Sequence, residues 1–448
     1  MVFSSNEFLF MFMPAVLFCY YALLKKSRKL QNIFLTFASL GFYAWGEPLF
    51  VLVMLGSILA NWLLGLLVGR SSGKLKTALA AADVCINIGI LFVFKYLSFF
   101  ANAIAGSEIL RISLPIGISF FTFQAMSYVL DVARGRGLAR KNPLDVALYI
   151  SFFPQLIAGP IVRYETVSEQ INGRTETLAG FTEGVERFMV GFIKKSLFAN
   201  NLAILADLAF DHGVPSVLFA WLGIFAYSLQ IYFDFSGYSD MAIGLGKMFG
   251  FHFLENFDHP YAARSITEFW KRWHISLGQW LRDYVYFPLG GSRVSKGRLV
   301  FNLFVVWLVT GAWHGANWTF FLWGLWFFVL ITLEKLTGFA KKLGVFGHAY
   351  AMLFVMLGWV LFRSPDLPSA LAYVKSMLGL AGSGLATAAD LFWLRNHAFF
   401  LAAGILFSVP VFKKVPRIAQ VAGIAFAYVI ALSYMIKGTY NPFVYFNF

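Results

Sequence analysis

The sequence predicts an all-α polytopic membrane protein, and three observations lead there. Of its 448 residues, 59% are hydrophobic and only 13% are charged, more apolar surface than a soluble domain of this length can hide. Runs of about 20 apolar residues recur along the whole chain, each long enough to cross a bilayer. The runs are long and unbroken. In lipid the backbone is satisfied only in helices or closed barrels, and such runs exclude the barrel.

The formal charge of +14 falls in short basic clusters between the runs. That is the pattern of cytoplasmic loops, not of a nucleic-acid surface. A basic cytoplasmic face also attracts a phosphorylated substrate. Cys19 and Cys85 each lie inside an apolar run without CxxC spacing, so both read as packing residues. No zinc site, other metal or bound cofactor is expected.

The elements follow in order. Residues 7–24 form the first span. The opening residues lack the basic region of a signal peptide, and Lys25, Lys26, Arg28 and Lys29 come after the run, which places the N-terminus outside. Residues 30–45 and 48–68 flank the turn Gly46-Glu47-Pro48, and the basic cluster at 70–76 follows. Residues 78–101 leave the cytoplasm, and 114–132 return to Arg134, Arg136, Arg140 and Lys141. Residues 147–161 would span only about 22 Å as a helix, short for a hydrocarbon core of about 30 Å. They also contain Pro154 and Gly159-Pro160, so a re-entrant or interfacial piece is expected.

Residues 185–210 and 215–232 make the next pair, with Lys194 and Lys195 snorkelling to the cytoplasmic surface. The stretch FDFSGYSDMAIGLG follows. Its Asp234 and Asp240 must face protein or water. They read either as caps or turn formers beside Ser236 and Gly237, or as the lining of a polar cavity. Within 255–296, Trp270, His274, Leu277, Leu281 and Tyr284 recur at helical spacing, whereas Lys271, Arg272, Gln279 and Asp283 lie off that stripe. One amphipathic helix at the cytoplasmic interface is expected, with His274 on its buried face.

No Lys, Arg, Asp or Glu occurs from 299 to 333, yet His314 sits there in GAWHGAN. An isolated ionisable group in such a run is costly and needs a reason. Imidazole suits proton transfer near neutral pH; the other reading is a hydrogen-bonded histidine locking two helices. Residues 299–310 and 318–333 flank it. The simplest topology is a hairpin entering from the cytoplasm, its first arm about 12 residues or roughly 18 Å long, with His314 near the inner turn. Two full crossings are the alternative. Residues 350–362, a short outer helix at 370–380, then 392–412 and 418–436 complete the chain, and the tail 437–448 lies outside. The sum is about ten full crossings in a single membrane-embedded domain, 1–448, without an internal repeat.

No GxxxxGK[ST] loop, dinucleotide fingerprint, HExxH or GxSxG elbow occurs. Histidine and carboxylate remain. His212, His252, His259, His348 and His397 fall near span ends or loops and read as structural.

Seven stretches, in order, carry a resemblance: MVFSSNEFLF, FYAWGEP, LPIGISFFTFQAMSYVLDV, AGPIVRYE, YFDFSGYSDMAIGLG, SITEFWKRWHISLGQWLRDYVYFPLGG and GAWHGANWTFFLWG. Together they resemble the membrane-bound O-acyltransferases of the alginate O-acetyltransferase type. The resemblance covers about residues 1–365, and 366–448 match in hydropathy alone. It implies a helical bundle of about 10–12 spans with re-entrant segments, arranged around a funnel and central channel. It implies that His314 is the family's essential histidine and His274 the second. It further implies acetyl-CoA as cytoplasmic donor, an exported polysaccharide as acceptor, an extracytoplasmic esterase-like partner of the SGNH type, and a bacterial cytoplasmic membrane as the setting.

On that reading His314 is the general base toward the attacking hydroxyl. Asn317, Trp313 or His274 would orient it or stabilise the oxyanion. The basic stretch 264–296, with Arg272 and Arg282, would hold the CoA phosphates. Asp234, Ser236, Tyr238, Asp240 and Trp273 complete the substrate-binding candidates. Three other readings compete. One is D-alanyl transfer to teichoic acid from a carrier-protein thioester. Another is a membrane transporter, against which the missing repeat speaks. The third is an inactive scaffold that docks the partner.

Overall fold

A computed structural model describes residues 1–382, 384–410, 415–438 and 440–442. Lys413 and Lys414, the end of the 392–412 run, and residues 443–448 of the tail lie outside the described residues. Among the described residues the chain is helical without a strand, and a single isolated bridge joins Ser216 to Gly384. Eight helices among them are long and apolar enough to cross a membrane, from Val51–Arg70 to Arg417–Lys437. Phe8–Leu23 and Ile118–Ala133 are shorter apolar helices. Arg28–Gly46 and Lys296–His314, at 19 residues each, also have the length.

The helices gather into two compact units. One holds Met1–Val190 and Tyr238–Leu254, the other Gly191–Gly237 and Glu255–Phe448. In the first unit, the piece expected to be too short for a crossing is two short helices, Pro143–Ser151 and Phe153–Leu156, broken at Phe152. Pro154 near the start of the second sets that break, because proline suits a first helical turn and not an interior. The irregular backbone that follows is buried, with Ala158, Ile161 and Val162 all inaccessible. Non-helical chain inside a membrane protein is tolerated where protein covers it.

The Gly/Ser/Asp-rich stretch does not form a turn. Residues 215–232 were expected to end a span, but one helix continues as Val217–Met248. Asp234 and Asp240 therefore sit in mid-helix, which removes the cap and turn alternative. Lys195 does not snorkel either. It lies in a π-helical turn, Lys194–Ala199, and points inward, almost fully buried. Gly237 explains how the backbones come so close, since a methyl group there would lie 2.7 Å from the Gly191 carbonyl oxygen.

The amphipathic stretch is also broken. It forms Ile266–Arg272 and Ile275–Leu281, separated at Trp273-His274. The stripe is otherwise as expected, with Leu277, Leu281 and Tyr284 buried, but Asp283, placed off the stripe, is buried too.

Candidate functional site: two histidines in an aromatic cage

The uncharged hairpin forms, and its first arm is longer than expected. Lys296–His314 has 19 residues, about 28 Å of helix, and His314 is its last residue. Gly311 does not stop it because it serves the crossing with the second arm, Trp318–Thr337. A methyl group at Gly311 would lie 2.5 Å from the Phe320 carbonyl oxygen, and one at Gly324 2.5 Å from that of Trp307. The backbones touch there, so both arms pack as one element. The helix ends at Gly315, in extended conformation. Asn317 then caps the second arm: its Oδ1 accepts from Thr319 N–H at 3.2 Å, and its Nδ2 donates to the Pro365 carbonyl at 2.7 Å.

His314 is 4% exposed. Three aromatic rings stand nearly perpendicular to the imidazole: Trp313 at 4.9 Å, Trp323 at 5.0 Å and Phe362 at 5.1 Å between centroids. Trp323 in turn meets Trp270, Phe327 and Trp359. The cage excludes water on these sides, which strengthens any electrostatic interaction made inside it. The buried Trp323 indole N–H has no hydrogen-bond partner among the described residues.

His274 reaches the same cage from the broken helix pair. It is 2% exposed and adopts a left-handed backbone conformation, φ 46° and ψ 52°. For a residue with a side chain this costs of order 1–3 kcal/mol and persists only where the surroundings enforce it. They do here. Ile275 N–H bonds the Asn256 carbonyl and Asp258 N–H bonds the Arg272 carbonyl, both at 2.9 Å, pinning the chain on either side of the kink.

Asn256 also fixes the ring. Its Oδ1 accepts from Ser276 N–H at 3.2 Å and lies 3.2 Å from His274 Nδ1. A backbone N–H can only donate, so the atom it meets is the amide oxygen, and His274 must carry its proton on Nδ1. Nε2 is then a lone pair, buried and without a hydrogen-bond partner among the described residues. Burial pushes this imidazole down to about 3, so it is neutral at physiological pH. The His274 ring packs edge-on against Phe235 at 4.6 Å and against Trp313 at 5.6 Å. Trp313 is thus a shared wall of both histidines.

The other candidates separate. Asp234 forms an ion pair with Lys195 at 2.7 Å, both side chains almost fully buried. Lys195 also donates to the Pro442 carbonyl. Ser236 is buried in the same unit. Tyr238 and Asp240 belong to the other unit, where Tyr238 stacks on Phe3 at 4.5 Å and Asp240 pairs with Arg187 at 2.6 Å. Trp273 packs on Trp359 at 4.9 Å and on Phe257 at 5.0 Å. Arg272 is tied to Glu268 at 3.0 Å and to Asp258 at 3.6 Å. Arg282 is freer, its side chain 51% exposed beside Asp283 at 3.2 Å. Sequence reasoning missed Asn256 and Trp323. Nothing local marks Asn256, which acts through a residue 18 positions away. Trp323 is one of several tryptophans in an apolar run.

Known proteins resemble this chain over most of its length. It is 46% identical to a protein described as probable alginate O-acetylase AlgI from Pseudomonas syringae pv. tomato, over 82% of this chain and 73% of the relative. It is 34% identical to the peptidoglycan O-acetyltransferase of Helicobacter pylori, over 92% of this chain and 87% of the relative. The teichoic acid D-alanyltransferase of Bacillus subtilis matches at 34% over 48% of this chain and 58% of the relative. Residues 118–363, which include both histidines, Asn256, Trp323 and Phe362, match the family model MBOAT, membrane-bound O-acyltransferase family. With its apolar spans and a family match across more than half its length, this chain belongs to the membrane-bound O-acyltransferases.

Proposed function

We propose that this protein takes acetyl groups from acetyl-CoA at the cytoplasmic face of a bacterial cell membrane and supplies them for O-acetylation of an exported cell-envelope polysaccharide. The observation that carries the reading is the shared cage, in which His314 and a neutral His274 both pack on Trp313, with Trp323 and Phe362 against the first ring and Phe235 against the second. A thioester is already activated, so the protein must supply a base, an oxyanion donor and a dry path. His314 takes the proton of the attacking hydroxyl as its oxygen bonds to the thioester carbonyl carbon. The C–S bond then breaks, and the thiolate leaves with that proton as CoA-SH.

The Trp323 indole N–H and Trp313 are better placed to meet the oxyanion than Asn317, whose amide serves the helix cap. His274 Nε2 is an acceptor in its enforced tautomer, so it holds a hydroxyl and does not donate to an oxyanion. Arg282 meets the donor's phosphates. A separate extracytoplasmic SGNH-type partner completes transfer to the sugar, and the N-terminus lies outside. Glycan acetylation is favoured over D-alanyl transfer because the two acetylating relatives match over 82% and 92% of this chain and the D-alanyltransferase over 48%.

The test measures CoA release from acetyl-CoA by purified protein, with and without cell-envelope acceptor fractions. Release by the wild type and its loss in His314→Ala is the expected result. Equal release by both would remove His314 from the chemistry.

A further inference from the structure

A cleft of about 590 Å³ opens in the second unit where two consecutive spans end. Lys335 lies in the last turn of Trp318–Thr337, and Gly344 comes two residues before Phe346–Arg363. Arg264, Lys271, Lys335 and Lys341 line it, all exposed, and none of the four forms an ion pair among the described residues. Lys271 and Lys335 are close enough to repel one another.

Two carboxylates also line the cleft, and both are engaged elsewhere. Glu334 accepts from the backbone N–H groups of Ile266 at 2.7 Å and Thr267 at 2.8 Å. Glu268 accepts from Arg264 N–H at 2.9 Å and pairs with Arg272 at 3.0 Å. Four cations thus share one concave surface with two carboxylates that are already bonded to backbone N–H groups, which leaves the cleft a net positive lining. Neither histidine and none of the cage tryptophans lines the cleft.

Its position says which anion. Close in sequence to the lining residues Lys335 and Gly344 are apolar, exposed side chains: Leu336 at 46%, Val345 at 82% and Phe346 at 73%. Cations at the ends of two spans, beside apolar side chains that continue into them, match the level of a headgroup with its acyl chains below. We propose that this cleft is a binding site for the phosphate of an anionic glycerophospholipid in the cytoplasmic leaflet. The proposal is independent of the acyl-transfer reading.

Phosphatidylglycerol and phosphatidylcholine binding to the detergent-purified protein, counted by native mass spectrometry, tests it. Lys335 and Lys341 lie outside the 264–296 stretch and are exposed, so Lys335→Gln/Lys341→Gln removes half the charge, and the one ring contact it alters among the described residues is that of Lys335 with Tyr286 at 5.6 Å. At roughly 1 kcal/mol per cation near a charged surface, the double variant should bind phosphatidylglycerol about 10-fold or more weakly. The Lys335→Arg/Lys341→Arg variant should restore it, which separates charge from folding. Three results would overturn the proposal: equal affinity for the two lipids, unchanged phosphatidylglycerol binding in the Gln variant, or displacement of the lipid by equimolar CoA or inorganic phosphate. The last would make the cleft a site for a soluble phosphate.

Discussion

Two buried clusters in this protein treat their polar groups in opposite ways. In the first unit, Glu176 accepts from Tyr20 O–H and from both terminal nitrogens of Arg28. The fully buried Arg174 guanidinium donates to Tyr20 Oη at 3.1–3.2 Å and to the Ile171 carbonyl at 2.5 Å, and lies 4.4 Å from the Phe251 ring centroid. Burial works against the Glu176 charge, yet the bonds from Arg28 and Tyr20 outweigh it and hold the carboxyl below its usual range. In the second unit the histidine cage is walled by rings and leaves His274 Nε2 and Trp323 Nε1 without hydrogen-bond partners among the described residues. A satisfied cluster rigidifies. A cage that keeps a lone pair and a donor in a dry setting has groups available to a reactant, at the cost of their desolvation.

The sharpest way to break this contrast is to exchange the two outcomes by mutation. His314→Gln keeps most of the side-chain volume and should lower CoA release by about 10²–10⁴-fold, with little change in Tm. Glu176→Gln should do the reverse. It leaves the buried Arg174 and its neighbour Arg28 without a carboxylate, a loss of about 3 kcal/mol for a broken buried pair. Thermal unfolding in detergent should show a Tm lower by roughly 5–10 °C, with turnover per folded molecule unchanged. If Glu176→Gln abolished turnover while keeping Tm, the first cluster would belong to the reaction.

Only the cage side of this contrast was legible in the sequence; nothing in it singles out Tyr20, Arg174 or Glu176. The uncharged run around His314 and the burial of His274 follow from composition and period alone, whereas the ends expected at 232 and 310 fall inside the helices Val217–Met248 and Lys296–His314. What the sequence hides is long-range. Trp270, His274, Leu277, Leu281 and Tyr284 have the spacing of a continuous helix, and the break at His274 is imposed by Asn256 and Asp258 from another segment. FDFSGYSDMAIGLG has the composition of a turn. It is helical because Lys195 and Arg187 meet its two carboxylates and because Gly237 lets a second backbone approach. A local window contains none of those partners.

The kink at His274 sharpens the comparison through pH. Its folded ring titrates near 3 because of burial, against about 6.5 in the unfolded chain. Between those values the unfolded chain takes up a proton that the folded chain refuses. The stability is therefore intact above about pH 6.5 and is lost as pH falls toward 3, at about 1.4 kcal/mol per pH unit. By pH 5 the wild type should have lost about 2 kcal/mol from this group. His274→Asn tolerates the left-handed backbone and does not titrate. The difference between the two Tm-against-pH curves from 7 to 5 isolates the histidine. Parallel curves would mean that His274 is solvated in the working protein.

The smallest effect separates two arginines that look equivalent in the sequence. Arg272 is held by Glu268 and Asp258, whereas the half-exposed Arg282 has Asp283 and the Phe287 ring beside it. A guanidinium already paired with two carboxylates has little field left for a phosphate, while a half-exposed one can still meet it. Arg282→Gln should therefore raise the KM for acetyl-CoA by about 2- to 5-fold with kcat unchanged, the range of an exposed ionic contact of up to about 1 kcal/mol. Raising the ionic strength should erase the difference from the wild type, since the contact is screened. Arg272→Gln should leave KM within about 2-fold and lower Tm instead, because what it breaks is a bond within the protein. The opposite assignment, a KM effect at Arg272 and none at Arg282, would mean that the donor displaces Glu268 and Asp258 on binding, and would move the phosphate site to the end of Ile266–Arg272.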